Sequence, residues 1–229
     1  MEADVSARHI SFLETGRSRP SVDMIRRLGD ALDLPLIERN QMLHSAGFAP
    51  QHLERDWSDD DMAPVRAALD RLLDRHLPYP GLAVDRLWRV QKMNATARAM
   101  FSFVGLGEGG SLLELMQSDQ LRALVENWSE VAAHAARRLR TESAALGGEP
   151  VLLETAATLV QSTEIVPVST SPVVPLRLNL GGQCLSMFST LAQFGTPEDI
   201  ALDDLKIELY FPVDEQTEQG FRQMMPASG

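Results

Sequence analysis

Positively charged side chains cluster near the start of the chain, at a spacing that suits the binding of phosphate groups. Residues 8 to 27 contain five arginines and two acids, a local charge of +3 in a chain whose net charge is −11. Arginines contact the phosphates of a nucleic acid, while small polar side chains on a short helix reach base edges in the major groove. The stretch therefore suits DNA. A solvated helical hairpin would account for the same charges.

Short helices must position these arginines. The first is predicted over residues 6–14, with Ser6 as its N-cap and Gly16 just beyond its end. Its predicted buried stripe consists of Val5, Ile10 and Leu13. A basic turn follows, and the second helix, over 21–33, has an apolar face of Met24, Ile25, Leu28 and Leu32. A third helix is predicted over 36–46.

The segment VSARHISFLETGRSRPSVDMIRRLGDALDLP resembles the recognition helix and the following helix of Xre-type, lambda-repressor-like helix-turn-helix domains. The resemblance implies contacts with a double-stranded DNA operator from Ser6, Ala7, Arg8, His9, Ser11, Arg17, Ser18 and Arg19. In that family the positions matching Arg17, Ser18 and Arg19 approach the phosphate backbone, and those on the helix approach the bases.

The start of the chain matches only part of such a domain. The three predicted helices correspond to the last three of the family's five, so helix 1 and most of helix 2 are missing. We expect the natural chain to begin further upstream, because an arginine turn and a recognition helix would have little reason to persist without DNA binding. The alternative is a protein that has lost DNA binding.

Length and composition limit the number of domains and the kinds of partner that the rest of the chain can have. A chain of 229 residues with 44% hydrophobic residues supports one domain with a real core and a smaller one. After residue 50 there are 15 basic and 25 acidic residues, a net charge of −10 and a poor nucleic-acid surface. The single cysteine, Cys184, excludes an internal disulfide. We expect a cytoplasmic protein with no membrane association, no metal and no cofactor.

The middle of the chain is predicted to be mostly helical. A linker helix within residues 51–74 carries Val65, Leu69, Leu72 and Leu73 on one side. Two short apolar stretches around Asp85 predict a β-hairpin, and Asn94 can cap a helix over 95–104. One amphipathic helix is predicted from Leu121 to Leu139 with Trp128 at its centre, and another begins at Pro150.

Apolar residues alternate beyond Pro167, which predicts strands. A turn at Gly181 and Gly182 gives a hairpin register with Leu178 opposite Leu185 and Leu176 opposite Met187. A last strand places Leu205, Ile207, Leu209 and Phe211 on one side and Lys206, Glu208 and Tyr210 on the other. The predicted fold class is α+β, an antiparallel sheet with helices covering one face.

Three segments, PYPGLAVDRLWRVQKMNATARAMF, LRALVENWSEVAAHAARRLR and residues 173–215, resemble the ligand-binding domain of MmyB-like transcription regulators. That family joins an Xre-type helix-turn-helix to a PAS-like sensor domain. The resemblance implies a pocket for a small apolar molecule, with fatty-acyl compounds favoured. The predicted division is a partial helix-turn-helix at 1–50, a linker helix at 51–74, a PAS-like ligand-binding domain at 75–216 and a C-terminal tail at 217–229.

Large apolar side chains in these segments are the candidates for the pocket wall. They are Trp88, Met93, Phe101, Trp128, Met187, Phe188 and Phe194. The alternative is that each belongs to an ordinary core. Three polar residues, Asn127, Arg138 and Arg140, could meet a carboxylate head group, although a surface or capping role is more typical of such positions.

The sequence contains no convincing enzyme motif. GLGEGG at residues 105–110 matches a dinucleotide-binding pattern, but no strand precedes it and Glu108 would face the phosphates. Cys184 has no sequence neighbour that marks it as a nucleophile. The expected function is therefore a homodimeric, ligand-responsive regulator rather than an enzyme. A sensor or sequestering protein without DNA binding is the rival hypothesis, and an enzyme for a hydrophobic substrate is a weaker one.

Overall fold

The structure, a computed structural model, describes residues 6–161, 173–195 and 197–225. Three short helices come first, α1 (Ala7–Glu14), α2 (Val22–Ala31) and α3 (Leu36–Ser45). A single 3-10 turn then leads into α4 (Ala63–Arg75). The remaining described helices are α5 (Ala95–Ser102), α6 (Leu112–Met116), α7 (Asp119–Leu124), α8 (Trp128–Ala145), α9 (Pro150–Gln161), α10 (Ile200–Asp203) and α11 (Glu215–Met224).

Five described strands form one antiparallel sheet. They are β1 (Gly81–Val84), β2 (Val90–Met93), β3 (Leu176–Leu180), β4 (Gln183–Ala192) and β5 (Lys206–Pro212), in the order β2-β1-β5-β4-β3. The predicted hairpin register is confirmed, with Leu178 opposite Leu185 and Leu176 opposite Met187. Both turn glycines have positive φ, which glycine adopts without strain. The α+β prediction is thus confirmed.

The helix predicted from Leu121 to Leu139 is wrong as a single helix. The structure ends α7 at Leu124 and begins α8 at Trp128, so Trp128 opens a helix rather than lying at its centre. The interruption follows from β3, because the backbone N–H of Glu126 donates to the carbonyl of Arg177 at 2.9 Å. The Asn127 amide also donates to the carbonyl of Pro175 at 2.7 Å. These long-range hydrogen bonds replace the helical ones at the break.

Both faces of the sheet are covered, whereas helices were predicted on one face only. On one face, β1 to β5 pack against α5, α6, α8, α9 and α11 in the main core. On the other, Leu69 and Leu73 of α4 pack against Ala83, Leu205 and Ile207. Side chains alternate along β5, so burying Ile207 under α4 directs the polar residues on either side of it toward the main core.

The N-terminal helices are more exposed than predicted. No residue of α1 is buried, Ile10 and Leu13 are half-buried, and Leu32 is 64% exposed. Val5 lies outside the described residues. The segment is nevertheless attached to the sheet domain, since the Leu36 N–H donates to Asp203 Oδ2 at 2.8 Å and Arg55 pairs with Asp199 at 2.7 Å. In the described part of the chain, no helix has the length and apolar character needed to cross a membrane.

Candidate functional site

A cavity of about 500 Å³ lies between α8 and the sheet. Its wall is mainly apolar, as is usual for small-molecule sites. Helices α5 to α9 supply Phe101, Leu112, Leu115, Leu121, Trp128, Val131, Ala135 and Leu159, among others. The strands supply Leu176, Leu178, Leu180, Met187, Phe188 and Tyr210. The predicted hairpin register matters here, because it places Leu176, Leu178 and Leu180 of β3 beside Met187 of β4 in one wall.

Five of the seven apolar pocket candidates meet at this cavity, namely Trp88, Phe101, Trp128, Met187 and Phe188. Met93 is buried in the main core but does not line the cavity. Phe194 packs with Leu69 and Leu73 on the opposite side of the sheet. Met187 and Phe188 of β4 both line the cavity, whereas Phe194, just beyond the end of that strand, does not, so proximity in sequence to a pocket residue does not place a side chain in the pocket.

A largely buried group of four charges lies beside the cavity, and two of its members, Arg138 and Glu208, line the cavity wall. Arg138 Nε donates to Glu142 Oε1 at 2.8 Å and Arg138 Nη1 donates to Glu208 Oε1 at 2.5 Å. Lys206 Nζ donates to Glu142 Oε2 at 2.5 Å. We call Arg138, Glu142, Lys206 and Glu208 the Arg138 cluster. Its two positive and two negative charges balance, which is what a buried ionic group requires.

Two aromatic residues complete the Arg138 cluster. Trp88 Nε1 donates to Glu142 Oε2 at 2.8 Å, and the Arg138 guanidinium lies over the Trp88 ring, 4.3 Å from its centroid. Tyr210 OH donates to Glu208 Oε2 at 2.8 Å. Trp88 also has a φ of +60°, a left-handed conformation that a bulky side chain seldom adopts. Such backbone strain is often stored at binding sites, and here the hydrogen bond to Glu142 and the Arg138 contact offset it.

The ionisation of these groups follows from their neighbours. Burial raises the pKa of Glu142, but Lys206 and Arg138 outweigh burial and leave that pKa below its ordinary value. Burial lowers the pKa of Arg138, but Glu208 and Glu142 reverse the effect and raise it. Burial and the adjacent Glu208 raise the pKa of Tyr210 well above its ordinary value. Tyr210 therefore stays a neutral hydrogen-bond donor while Arg138 and Glu142 stay charged.

One nitrogen of the Arg138 cluster lacks a hydrogen-bond acceptor. Arg138 Nη2 is buried and has no hydrogen-bond partner within the described residues, and Arg138 lines the cavity. The sequence offered Arg138 as a candidate for binding a carboxylate head group but favoured a surface or capping role. The signal that could have found it is the polar side of β5, because a strand buried on both faces must neutralise Lys206 and Glu208 from another element. Of the two other polar candidates, Asn127 bonds to backbone and Arg140 is exposed.

The eight residues proposed for DNA contact lie on α1, at its N-cap and in the turn that follows it. Ser6, Ala7, Arg8, Ser11, Arg17 and Arg19 are exposed, and His9 and Ser18 are half-buried. Ser6 caps α1 as predicted, since its hydroxyl accepts from the His9 N–H at 3.3 Å. Arg26 and Arg27 instead pair with Asp23. In residues 6–161, 173–195 and 197–225, no salt bridge is formed by Arg8, Arg17 or Arg19.

Asp204 follows Asp203, the residue that binds the start of α3, and should make folding stability depend on pH. Burial raises its pKa from 3.8 to about 6, although Arg86 Nη1 lies 3.6 Å away. The folded protein therefore binds this proton more tightly than the unfolded chain, so the contribution to stability is full at low pH and is lost as pH rises through about 6. Removing the carboxylate should abolish that loss.

We predict that the free energy of unfolding of Asp204→Asn rises by about 1–2 kcal/mol relative to that of the natural chain when the pH is raised from about 4 to about 7.5. Urea unfolding at the two pH values measures the difference. Asp74→Asn, which removes an exposed carboxylate from α4, is the matched control. Equal pH dependence of the two variants would contradict the prediction.

Comparison with known proteins bears on the part of the chain that holds the cavity. The model of a family described as "MmyB-like transcription regulator ligand binding domain" matches residues 65–224. Among solved structures, the PAS domain from Bordetella pertussis BvgS is similar at 14% identity and a TM-score of 0.32, over 69% of this chain and 94% of that chain. No curated protein matches the chain significantly.

Proposed function

Because the chain belongs to the family of MmyB-like transcription regulator ligand-binding domains, we propose that it is a DNA-binding transcription regulator whose cavity senses a small apolar, fatty-acyl-like ligand. The observation that carries the proposal is the cavity of about 500 Å³, which lies within the matched residues and has a mainly apolar wall. A volume of this size suits a small molecule rather than a peptide or a nucleic acid. The cavity thus supplies the sensing half of the function.

The DNA-binding half is proposed for α1, the turn after it and α2. Exposed Arg8 on α1 would contact base edges, and exposed Arg17 and Arg19 in the turn would contact phosphates. Among the residues that the structure describes, none of these three arginines forms a salt bridge, whereas Arg26 and Arg27 pair with Asp23. DNA operators usually have twofold symmetry, so we expect a homodimer that presents two such helices.

The junction between the N-terminal helices and the sheet offers a route from cavity to DNA. Lys206 and Glu208 of the Arg138 cluster stand on β5, which follows α10 in the chain. Asp203 at the end of α10 accepts a hydrogen bond from the first residue of α3. A ligand that rearranges the cluster would therefore move β5 and α10, and with them the Asp203 carboxylate that binds the start of α3. The effect on DNA binding requires a ligand that binds the two arrangements with different affinity.

Selection of DNA from a random duplex library with the full chain tests the proposal. We expect a recovered consensus sequence, and we expect the affinity for it to change when decanamide is added. Arg8→Ala should remove about 1–3 kcal/mol of base discrimination, whereas Arg17→Ala should weaken consensus and random DNA alike. Arg140→Ala, which removes an exposed arginine from α8, is the control.

The outcomes separate the competing functions. Wild-type affinity in both the Arg8 and the Arg17 variants would show that α1 is not the recognition helix. Ligand binding without any DNA binding would favour a sensor or sequestering protein instead.

A further inference from the structure

A tight turn between β1 and β2 contacts the cavity through one residue and the N-terminal segment through another. Trp88 lines the cavity wall, whereas Arg86, two residues earlier, points to Glu54 and Asp204 instead. Arg86 Nη1 is 3.4 Å from Glu54 Oε1 and 3.6 Å from Asp204 Oδ2. One short stretch of chain therefore joins the candidate ligand site to the segment that follows the N-terminal helices.

Hydrogen bonds make this turn a single unit. Asp85 Oδ1 accepts from the backbone N–H groups of Leu87 and Arg89, each at 2.9 Å. The Asp85 N–H donates to the carbonyl of Arg89, and its carbonyl accepts from the N–H of Trp88, each at 3.0 Å. Because Asp85 fixes the chain on both sides of Arg86, a displacement of the Trp88 backbone displaces Arg86 with it.

Trp88 is the strained residue of this turn. Its φ of +60° lies in the left-handed region, and surrounding contacts hold it there. They are the hydrogen bond from its indole to Glu142, and Arg138 Cζ and Lys206 Nζ, which lie 4.3 Å and 5.1 Å from its ring centroid. An acyl chain that fills the cavity must pack on this indole. Its binding therefore alters the contacts that hold the turn in its strained conformation.

The segment that Arg86 contacts is bound to the N-terminal helices. The side-chain amide of Asn40, on α3, donates to the carbonyl of His52 at 2.7 Å and accepts from its N–H at 3.1 Å. Glu54 lies only two residues beyond His52. Helix α3 is bound in turn to α2, because Arg39 pairs with Asp30. A shift of Arg86 thus acts on α3 and α2 through Glu54.

We propose that Arg86 is a coupling residue, which transmits ligand contact at Trp88 to the N-terminal helices through its ion pair with Glu54. The inference rests on the proposed function, because it takes the cavity to be the ligand site and the N-terminal helices to be the part that responds. It differs from a route along β5 and α10, because it depends on a side chain in the β1–β2 turn.

Hydrogen–deuterium exchange of the full chain with and without methyl decanoate tests the proposal. The experiment is done at about pH 7.5, above the pKa of about 6 of Asp204, so that both carboxylates beside Arg86 are ionised. In the natural chain we expect the ligand to change the exchange rates of amides in residues 36–52 by about threefold or more. In Arg86→Gln this change should be lost, while the Kd for methyl decanoate stays within about threefold of the natural value.

Three further variants make the result specific. Arg89→Gln removes an exposed arginine from the same turn and should keep the full response. Arg86→Lys keeps the positive charge and should restore part of the response. Glu54→Gln breaks the same ion pair from its exposed side, leaves the turn intact and should lose the response as Arg86→Gln does. If Arg86 only supported the fold, its replacement would speed exchange with and without ligand alike, the ligand-dependent ratio would persist, and the inference would be wrong.

Failure of the inference can be told from failure of the proposed function. If Arg86→Gln keeps the full ligand-dependent change, or if the natural chain binds methyl decanoate without any such change, the cavity remains the ligand site and the coupling role of Arg86 is overturned. Absence of binding by both methyl decanoate and decanamide would contradict the proposed sensing function and the inference with it.

Discussion

Replacement of Glu208 by Gln is expected to lower the free energy of unfolding by about 3–5 kcal/mol, because it removes one charge from a buried, balanced group. The Glu208 side chain is 4% exposed and receives hydrogen bonds from Arg138 and Tyr210. Without the Glu208 charge, Arg138 keeps only one of its two carboxylate partners, Glu142. Chemical unfolding followed by far-ultraviolet circular dichroism measures the loss.

The control and a compensating variant make this prediction specific. Glu154→Gln, on the exposed side of α9, should change stability by less than about 0.5 kcal/mol. The double variant Arg138→Gln with Glu208→Gln restores the charge balance and should lose less than the sum of the two single variants. A Glu208→Gln protein within about 1 kcal/mol of the natural chain would show that the cluster is not coupled as described.

Filling the cavity should have the largest effect on ligand binding. Ala135 of α8 lines the cavity, one turn away from Arg138 and on the same helix face. Ala135→Phe adds a ring on the wall and should weaken methyl decanoate by more than about tenfold, since the ligand and the ring compete for one volume. Ligand-dependent change in DNA affinity should be lost together with ligand binding.

Ala133→Phe provides the matched control, because Ala133 is on the same helix but does not line the cavity. Trp88 and Trp128 are both wall residues, whereas Trp57 packs on the other face of the sheet, so a change in tryptophan fluorescence on titration reports occupancy of the cavity. Equal binding by the Ala133 and Ala135 variants would mean that the ligand binds elsewhere. Thermal unfolding of both variants separates blocked binding from damage to the fold.

Local sequence determined much of the secondary structure. Ser6, Ser21 and Asn94 cap the helices for which they were predicted, because an N-cap needs only its own side chain and the next turn. Alternation and two adjacent glycines were enough for the β3–β4 register. These features depend on residues close together in the chain, and for that reason they can be predicted from a single sequence.

Tertiary structure decided the contents of the site. Alternation along β5 predicted correctly which residues share a side, but only the packing of α4 on the apolar side shows that the polar side faces the main core. The break before Trp128 depends on hydrogen bonds to β3, about fifty residues away in sequence. Likewise, the ion pair from Arg138 to Glu208 joins residues 70 positions apart.

The physical reason is the range of the interactions. Helix caps, turns and strand alternation are set by neighbouring residues, so the sequence alone predicted the first five helices, α9 and the strands. It did not predict α11 (Glu215–Met224), which packs the buried Phe221 into the main core where a C-terminal tail was predicted from residue 217. Which face of an element is buried, and which charges neutralise each other there, depends on layers brought together from distant parts of the chain. The apolar wall could thus be predicted in large part, whereas the polar end of the cavity emerged only when α8 was packed against β5.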